Sequence, residues 1–105
     1  MEDIIEKLRQ FRNERNWSQF HTPENLAKSI VLESAELLEN FQWGTQHADE
    51  QNIKEELADI VAYALLMCDH YGFDLRTILE EKIKKNNEKY PVNKAYGNAK
   101  KYTKL

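Results

Sequence analysis

Residues 55–68 read EELADIVAYALLMC, and this stretch decides the fold. Three acids, Glu55, Glu56 and Asp59, stand directly before or within the first turns of a segment whose last nine residues, 60–68, carry no charge. As a helix, this segment is apolar almost all round, so it must be covered on every side. A carboxylate at the edge of such a segment is costly unless it is paired, protonated or bound to a metal ion.

The composition predicts a single helical domain over residues 1–105. Apolar residues make up 41% of the chain and charged residues 31%, with three Gly and two Pro, which is typical of a helical protein and argues against disorder. Cys68 is the one cysteine, so we expect a reducing compartment. The N-terminus is charged from Glu2 and the longest uncharged run is too short to span a bilayer. We therefore expect a cytoplasmic protein that does not enter a membrane.

The net charge of −3 conceals two oppositely charged regions. Up to Glu81 there are seven Lys or Arg against seventeen Asp or Glu, and from Lys82 onward eight Lys against one Glu. An acidic body with a basic tail can bind a cation and a polyphosphate side by side. The simpler interpretation is a solvated tail attracted to its own acidic domain. The acidic body argues against a nucleic-acid-binding face.

Apolar spacing and breakers predict four helices over about 2–90 and a polar tail over 91–105. The first helix is expected over 2–16. The second begins after Thr22 as N-cap with Pro23 in its first turn, and ends near Trp43, before Gly44. The remaining two are expected from about Asp49 to Tyr71, ended by Gly72, and from Asp74 as N-cap to the residue before Pro91.

Two pairs of acids spaced three residues apart lie at the margin of the faces that must be buried. Glu33 and Glu36 are on adjacent turns of the second helix, and Glu56 and Asp59 on adjacent turns of the third. If the two helices pack antiparallel, the four carboxylates meet in one cluster, where their mutual repulsion would be relieved by a divalent cation. Oxygen ligands of this kind suit Mg²⁺ first and Mn²⁺ second. Either pair alone is more often simple helix-surface charge.

Other chemistries lack their sequence requirements. There is no G-x-x-x-x-G-K-[ST] phosphate loop, no Glu followed three residues later by His as in di-iron bundles, and no cysteine pair for zinc. Trp17 and Trp43 flank the second helix, where they are either core residues or stacking partners for a nucleobase. A lone histidine such as His21 is more often structural than a ligand.

Five segments in order along the chain resemble the MazG-like all-α nucleoside triphosphate pyrophosphohydrolases, and in particular their dCTP pyrophosphatase branch. The two acidic pairs lie in 33–43 (ESAELLENFQW) and 55–63 (EELADIVAY). The others are 15–26 (RNWSQFHTPENL), 82–92 (KIKKNNEKYPV) and 99–103 (AKKYT). The resemblance therefore extends over nearly the whole chain and is far more specific than either acidic pair.

The resemblance implies a four-helix bundle that hydrolyses a dNTP, with dCTP favoured, to the monophosphate and pyrophosphate in nucleotide-pool house-cleaning. It places Mg²⁺ on Glu33, Glu36, Glu56 and Asp59, with Glu36 as the residue that activates water. It further implies a substrate-binding set composed of Trp17, His21, Trp43, Tyr63, Lys82, Asn86, Tyr90 and Lys101. Together with the apolar third helix, it predicts a homo-oligomer, either a dimer or a dimer of dimers.

Two alternatives stay open at this point. One is a non-catalytic helical interaction module, which explains amphipathic helices and charge asymmetry but gives no reason for both acidic pairs to border the core. The other is a related pyrophosphohydrolase that acts on a phosphoribosyl nucleotide. The tryptophans and the KYPV segment favour the dNTP branch.

Overall fold

The computed structural model describes all 105 residues and contains helices and no strands. The α-helices are α1 (Glu2–Glu14), α2 (Pro23–Glu39), α3 (Glu50–Tyr71), α4 (Leu75–Lys89) and the short α5 (Val92–Ala95). Single 3₁₀ turns lie at Trp17–Gln19, Thr45–His47 and Tyr102–Lys104. The all-α class and the four long helices are thereby confirmed, and the tail contains one further turn of helix. None of the helices combines the length and the apolar character needed to cross a membrane.

Two of the helix starts follow the predicted capping chemistry, and a third has a cap of the same kind. The Thr22 side chain accepts a hydrogen bond from the Asn25 N–H, and Pro23 occupies the first turn. Asp49 caps α3 through the N–H groups of residues 51 and 52, and Asp74 caps α4 through that of Thr77. Helix α3 ends at Gly72, whose φ of 70° is in the left-handed region that glycine adopts without strain.

Two predicted helix ends are wrong by a few residues. Helix α1 ends at Glu14 rather than 16, because Asn16 takes a left-handed φ of 55° that interrupts the helix. Helix α2 ends at Glu39 rather than near Trp43, and residues 40–43 continue as turns. The Asn40 side chain donates to the Leu37 carbonyl, which gives the backbone an alternative to further helix.

Helices α2 and α3 form an antiparallel pair. Near the loop between them, Asn40 Nδ2 donates to Asn52 Oδ1 at 2.8 Å. At the other end the rings of His21 and Tyr63 lie 6.3 Å apart. Later residues of α2 thus face earlier residues of α3, as the acidic pairs require.

Few apolar side chains are buried in the chain. The buried ones are Leu26, Leu65, Leu66 and Cys68. In contrast, Val31 is 68% exposed and Leu38 69% exposed on α2, and Leu57 and Val61 of α3 are also exposed. The apolar side chains of α2 are therefore only partly covered within one chain.

The chain forms two compact units, Met1–Gly72 and Phe73–Leu105. The first contains α1, α2 and α3. The second contains α4 and the tail, where the Tyr90 and Tyr102 rings meet edge to face with centroids 6.0 Å apart. The prediction of one domain over residues 1–105 stays a prediction.

Candidate active site

Three carboxylates from α2 and α3 meet in one cluster. Glu33, Glu56 and Asp59 each offer an oxygen, and these oxygens all lie within 4.8 Å of one another. Glu56 is buried, at 9% exposure, whereas Glu33 is half-buried and Asp59 exposed. The cluster forms because the antiparallel helix pair brings Glu33 opposite two acids that are three residues apart on one face of α3.

The electrostatics of this cluster are unfavourable for carboxylates alone. Glu33 Oε2 and Glu56 Oε2 are buried and have no hydrogen-bond partner. The pKa of Glu33 is raised to about 7, first by a hydrogen bond with the Glu56 carboxyl, then by burial and by the charges of Glu36 and Asp59. Two unpartnered buried oxygens within a group of hard anionic ligands fit a divalent cation such as Mg²⁺ or Mn²⁺.

Glu36, the fourth predicted ligand, lies at the edge of the cluster. It is exposed and is not one of the three residues whose oxygens meet within 4.8 Å. Its carboxyl nevertheless raises the pKa of Glu33, by charge and by hydrogen bonding. The structure therefore brings three of the predicted acids together and leaves the fourth within electrostatic reach.

An aromatic cavity of about 230 Å³ adjoins the acidic cluster. Rings line it in edge-to-face contact, with centroids 5.7 Å apart for Phe11 and Trp17 and 6.4 Å apart for Trp17 and His21. Asp59 belongs both to the cavity wall and to the acidic cluster. The full lining is Leu8, Phe11, Arg12, Trp17, His21, Asp59, Ala62, Tyr63 and Leu66.

Of the predicted substrate-binding residues, three line this cavity: Trp17, His21 and Tyr63. Trp43 does not line it and is 74% exposed in the turns after α2. The remaining four belong to the second unit, with Lys82 and Asn86 on α4 and Tyr90 and Lys101 beyond its last turn. The first unit alone thus joins an acidic cluster to an aromatic cavity.

A polar contact that was not predicted from the sequence joins α1 to α3 beside the cavity. Asp69 accepts from Arg9 Nε at 2.7 Å and from Arg12 Nη1 at 3.3 Å. Both arginines are on one side of α1, three residues apart, and Asp69 follows directly after the uncharged run. Two arginines three residues apart on one helix, and an acid directly after the uncharged run of another, are the sequence features from which this contact could have been predicted.

The chain combines an all-α fold with an acidic cluster that could bind a metal ion and an aromatic cavity beside it, an arrangement that fits a helical enzyme. A sequence profile of the MazG-like family matches residues 28–105. The chain belongs to the MazG-like family.

Known relatives resemble the chain over its whole length. It is 35% identical over 114 residues to dCTP pyrophosphatase 1 of Rattus norvegicus, covering 100% of this chain and 67% of the relative. The human protein of that name is 33% identical with the same coverage. A crystal structure of a pyrophosphatase from Archaeoglobus fulgidus superposes with a TM-score of 0.83 at 39% identity, covering 87% of this chain and 92% of that one.

Proposed function

We propose that the protein is a nucleotide pyrophosphohydrolase that converts a deoxynucleoside triphosphate, with dCTP favoured, and water into the monophosphate and pyrophosphate. One observation carries the proposal: Asp59 is shared between the acidic cluster and the aromatic cavity. A base in the cavity thereby places its phosphates toward the carboxylates. Membership of the MazG-like family and similarity to proteins named dCTP pyrophosphatase 1 support the same reaction.

Glu33, Glu56 and Asp59 would hold Mg²⁺, or Mn²⁺ in its place, with Glu36 completing the set. The two unpartnered buried oxygens on Glu33 and Glu56 are the feature that fits such an ion. When bound, the ion supplies positive charge that offsets the charge developing on the phosphate oxygens and lowers the pKa of nearby water.

Glu36 is the residue we assign to the attacking water. It is exposed and one turn from Glu33, so it can accept the proton of a water molecule directed at the α-phosphate while the bond to the pyrophosphate oxygen breaks. Trp17 and Tyr63 would orient the base and the sugar. The Tyr63 ring against the deoxyribose would crowd a 2′-hydroxyl and so favour dNTPs over NTPs.

We assign the contacts to the phosphates to Lys82, Asn86 and Lys101. Lys82 and Asn86 lie one turn apart on α4, and Lys101 is in the tail. From Lys82 onward, the chain carries eight lysines against one glutamate. Cationic and amide donors of this kind bind phosphate oxygens. Tyr90, which packs on Tyr102, would help to fix this segment, and Trp43 would complete the base pocket.

The chain would act as a homo-oligomer, either a dimer or a dimer of dimers. The exposed apolar side chains of α2 and α3, which include Val31, Leu38, Leu57 and Val61, form the surface that a second copy would cover. A monomer in sedimentation at micromolar concentration would contradict this assembly. Val31→Glu tests whether this surface is the contact between copies, and we expect it to shift the assembly toward monomer.

Product analysis tests the reaction. The pure protein is incubated with each common NTP and dNTP, with Mg²⁺ and with EDTA, and the products are separated by ion-exchange chromatography. We expect metal-dependent monophosphate and pyrophosphate. Diphosphate and phosphate would show that the wrong bond is assigned, and no turnover of any nucleotide would favour the non-catalytic interaction module.

Glu36→Gln tests the role of that carboxylate. The variant should keep the helical signal and the thermal midpoint of the wild type but lose turnover, because glutamine cannot accept the proton. Glu39→Gln, which removes an exposed charge from the same helix, is the matched control and should stay active. Full activity of Glu36→Gln would remove this residue as the base.

A further inference from the structure

The Asp69 carboxylate uses its two oxygens for two different arginines of α1. Arg9 donates from Nε to Oδ1 at 2.7 Å, and its Nη2 is also 2.7 Å from that oxygen. Arg12 Nη1 donates to Oδ2 at 3.3 Å. The side chains of Arg12 and Asp69 are only 17% and 18% exposed, so burial and the ion pair together restrict the position of the Arg12 guanidinium.

Arg12 lines the aromatic cavity, whereas Arg9 does not. Its Nε donates to Asn13 and its Nη1 to Asp69, which leaves the Nη2 amino group for a ligand. A guanidinium only donates hydrogen bonds and keeps its charge at any relevant pH. The group it can bind in the cavity is therefore a hydrogen-bond acceptor.

A second polar atom in the same wall has no partner. His21 Nδ1 is buried without a hydrogen bond, between the rings of Trp17 and Tyr63. The pKa of His21 is lowered, first by burial and then by the positive charge of Arg12. With the ring neutral and its proton on Nε2, Nδ1 accepts a hydrogen bond. The wall thus offers a donor and an acceptor.

We propose that Arg12, oriented by Asp69, is a specificity-determining residue that donates a hydrogen bond to an acceptor atom on the edge of the nucleobase. This rests on the proposed function, since it places the base of the nucleotide in the aromatic cavity. Arg12 and His21 together match an edge on which an acceptor neighbours an amino group, as N3 and the exocyclic amine do in cytosine. Thymine and uracil present a carbonyl where this tautomer of His21 requires a donor.

The test compares kcat/KM for dCTP, dTTP, dATP and dGTP in the wild type and in Arg12→Ala. We expect the variant to lose about 10- to 100-fold for the preferred base, the range for a hydrogen bond to a charged group, and less than about threefold for the poorest base. Asp69→Asn should raise KM for the preferred base more than for the poorest base, because it loosens Arg12 without removing it.

Arg9→Ala is the matched control. Arg9 is on the same helix as Arg12 and pairs with the same Asp69 carboxylate, but it is not part of the cavity wall. Arg9→Ala should keep the wild-type ratios of kcat/KM between the four dNTPs, even if its thermal midpoint falls. If Arg12→Ala lowers kcat/KM equally for every base, as Arg9→Ala would through stability alone, Arg12 is a structural residue and the proposal is wrong.

Equilibrium binding separates this proposal from the proposed reaction. Trp17 fluorescence in a Trp43→Phe background reports binding of dCTP and dTTP in EDTA, where no turnover occurs. If the wild type hydrolyses no nucleotide, the proposed reaction is wrong. The role of Arg12 in recognising the base is then tested by this binding measurement alone. Tighter binding of dCTP that is lost in Arg12→Ala supports the proposal, and equal binding of both nucleotides overturns it.

Discussion

Replacing Glu56 by glutamine should stabilise the metal-free protein. Glu56 is 9% exposed, and its Oε2 and that of Glu33 have no hydrogen-bond partner. The substitution removes one negative charge from the cluster and supplies an amide N–H that can donate to the Glu33 carboxylate. A buried acid whose replacement raises stability is the signature of a residue kept for a ligand.

The magnitude follows from the spacing of the carboxylates. Two unit charges 4.8 Å apart repel by about 3.5 kcal/mol at an effective dielectric constant of about 20. Glu33 is only half-buried and Asp59 is exposed, so solvent screening reduces this to about 1–2 kcal/mol. For a chain of this size, that raises the thermal midpoint by about 5–10 °C.

The effect depends on pH in a defined direction. Because the pKa of Glu33 is raised to about 7 from an ordinary 4.5, the folded state binds more protons than the unfolded state between those values. The contribution of Glu33 to stability is complete below about pH 4.5 and is lost as the pH rises through 7. The advantage of Glu56→Gln over the wild type should therefore be large at pH 8 and small at pH 5.

The assay is thermal unfolding followed by circular dichroism, at one protein concentration, at pH 5 and pH 8, in EDTA and in Mg²⁺. Addition of Mg²⁺ should raise the midpoint of the wild type at pH 8 and change that of Glu56→Gln much less. Glu39→Gln has the same change in charge on an exposed part of α2 and should resemble the wild type. A Glu56→Gln midpoint below that of the wild type at pH 8 in EDTA would refute the electrostatic reasoning.

Three further predictions concern other parts of the site and its support. The apparent affinity for Mn²⁺, measured by titration calorimetry, should increase from pH 6 to pH 8 because binding displaces the proton on Glu33, and an affinity independent of pH would contradict a shared proton. Trp17→Ala should weaken nucleotide binding by about 1–3 kcal/mol through lost stacking, more than Trp43→Ala does, as equilibrium dialysis can show. Asn40→Ala should lower stability by about 1–2 kcal/mol in urea unfolding, whereas Gln42→Ala, exposed in the same turns, should change little.

The long helices and the acidic cluster could be predicted from sequence because short-range rules determine them. Thr22 with Pro23, Asp49 and Gly72 are local signals that need no tertiary information. The spacing of three between Glu56 and Asp59 places them on one face of any helix. The cluster then needed only one further assumption, an antiparallel pair.

The parts that sequence reasoning missed depend on side chains meeting across helices. The early end of α2 follows from Asn40, whose amide also bonds Asn52, a contact visible only after α3 is in place. The Arg12–Asp69 contact joins residues 57 positions apart. The exposure of Trp43 likewise results from the turns that replace the expected end of α2.

In the proposed homo-oligomer, the small number of buried apolar side chains would link the stability of this protein to its abundance. With Leu26, Leu65, Leu66 and Cys68 as the buried apolar residues, the proposed homo-oligomer would supply much of the apolar area that stabilises the fold. Mass action then makes the folded population rise with total concentration. Dilution would then reduce activity by unfolding the chain. A modest fall in protein concentration would lower the rate of turnover by a larger fraction than the concentration itself.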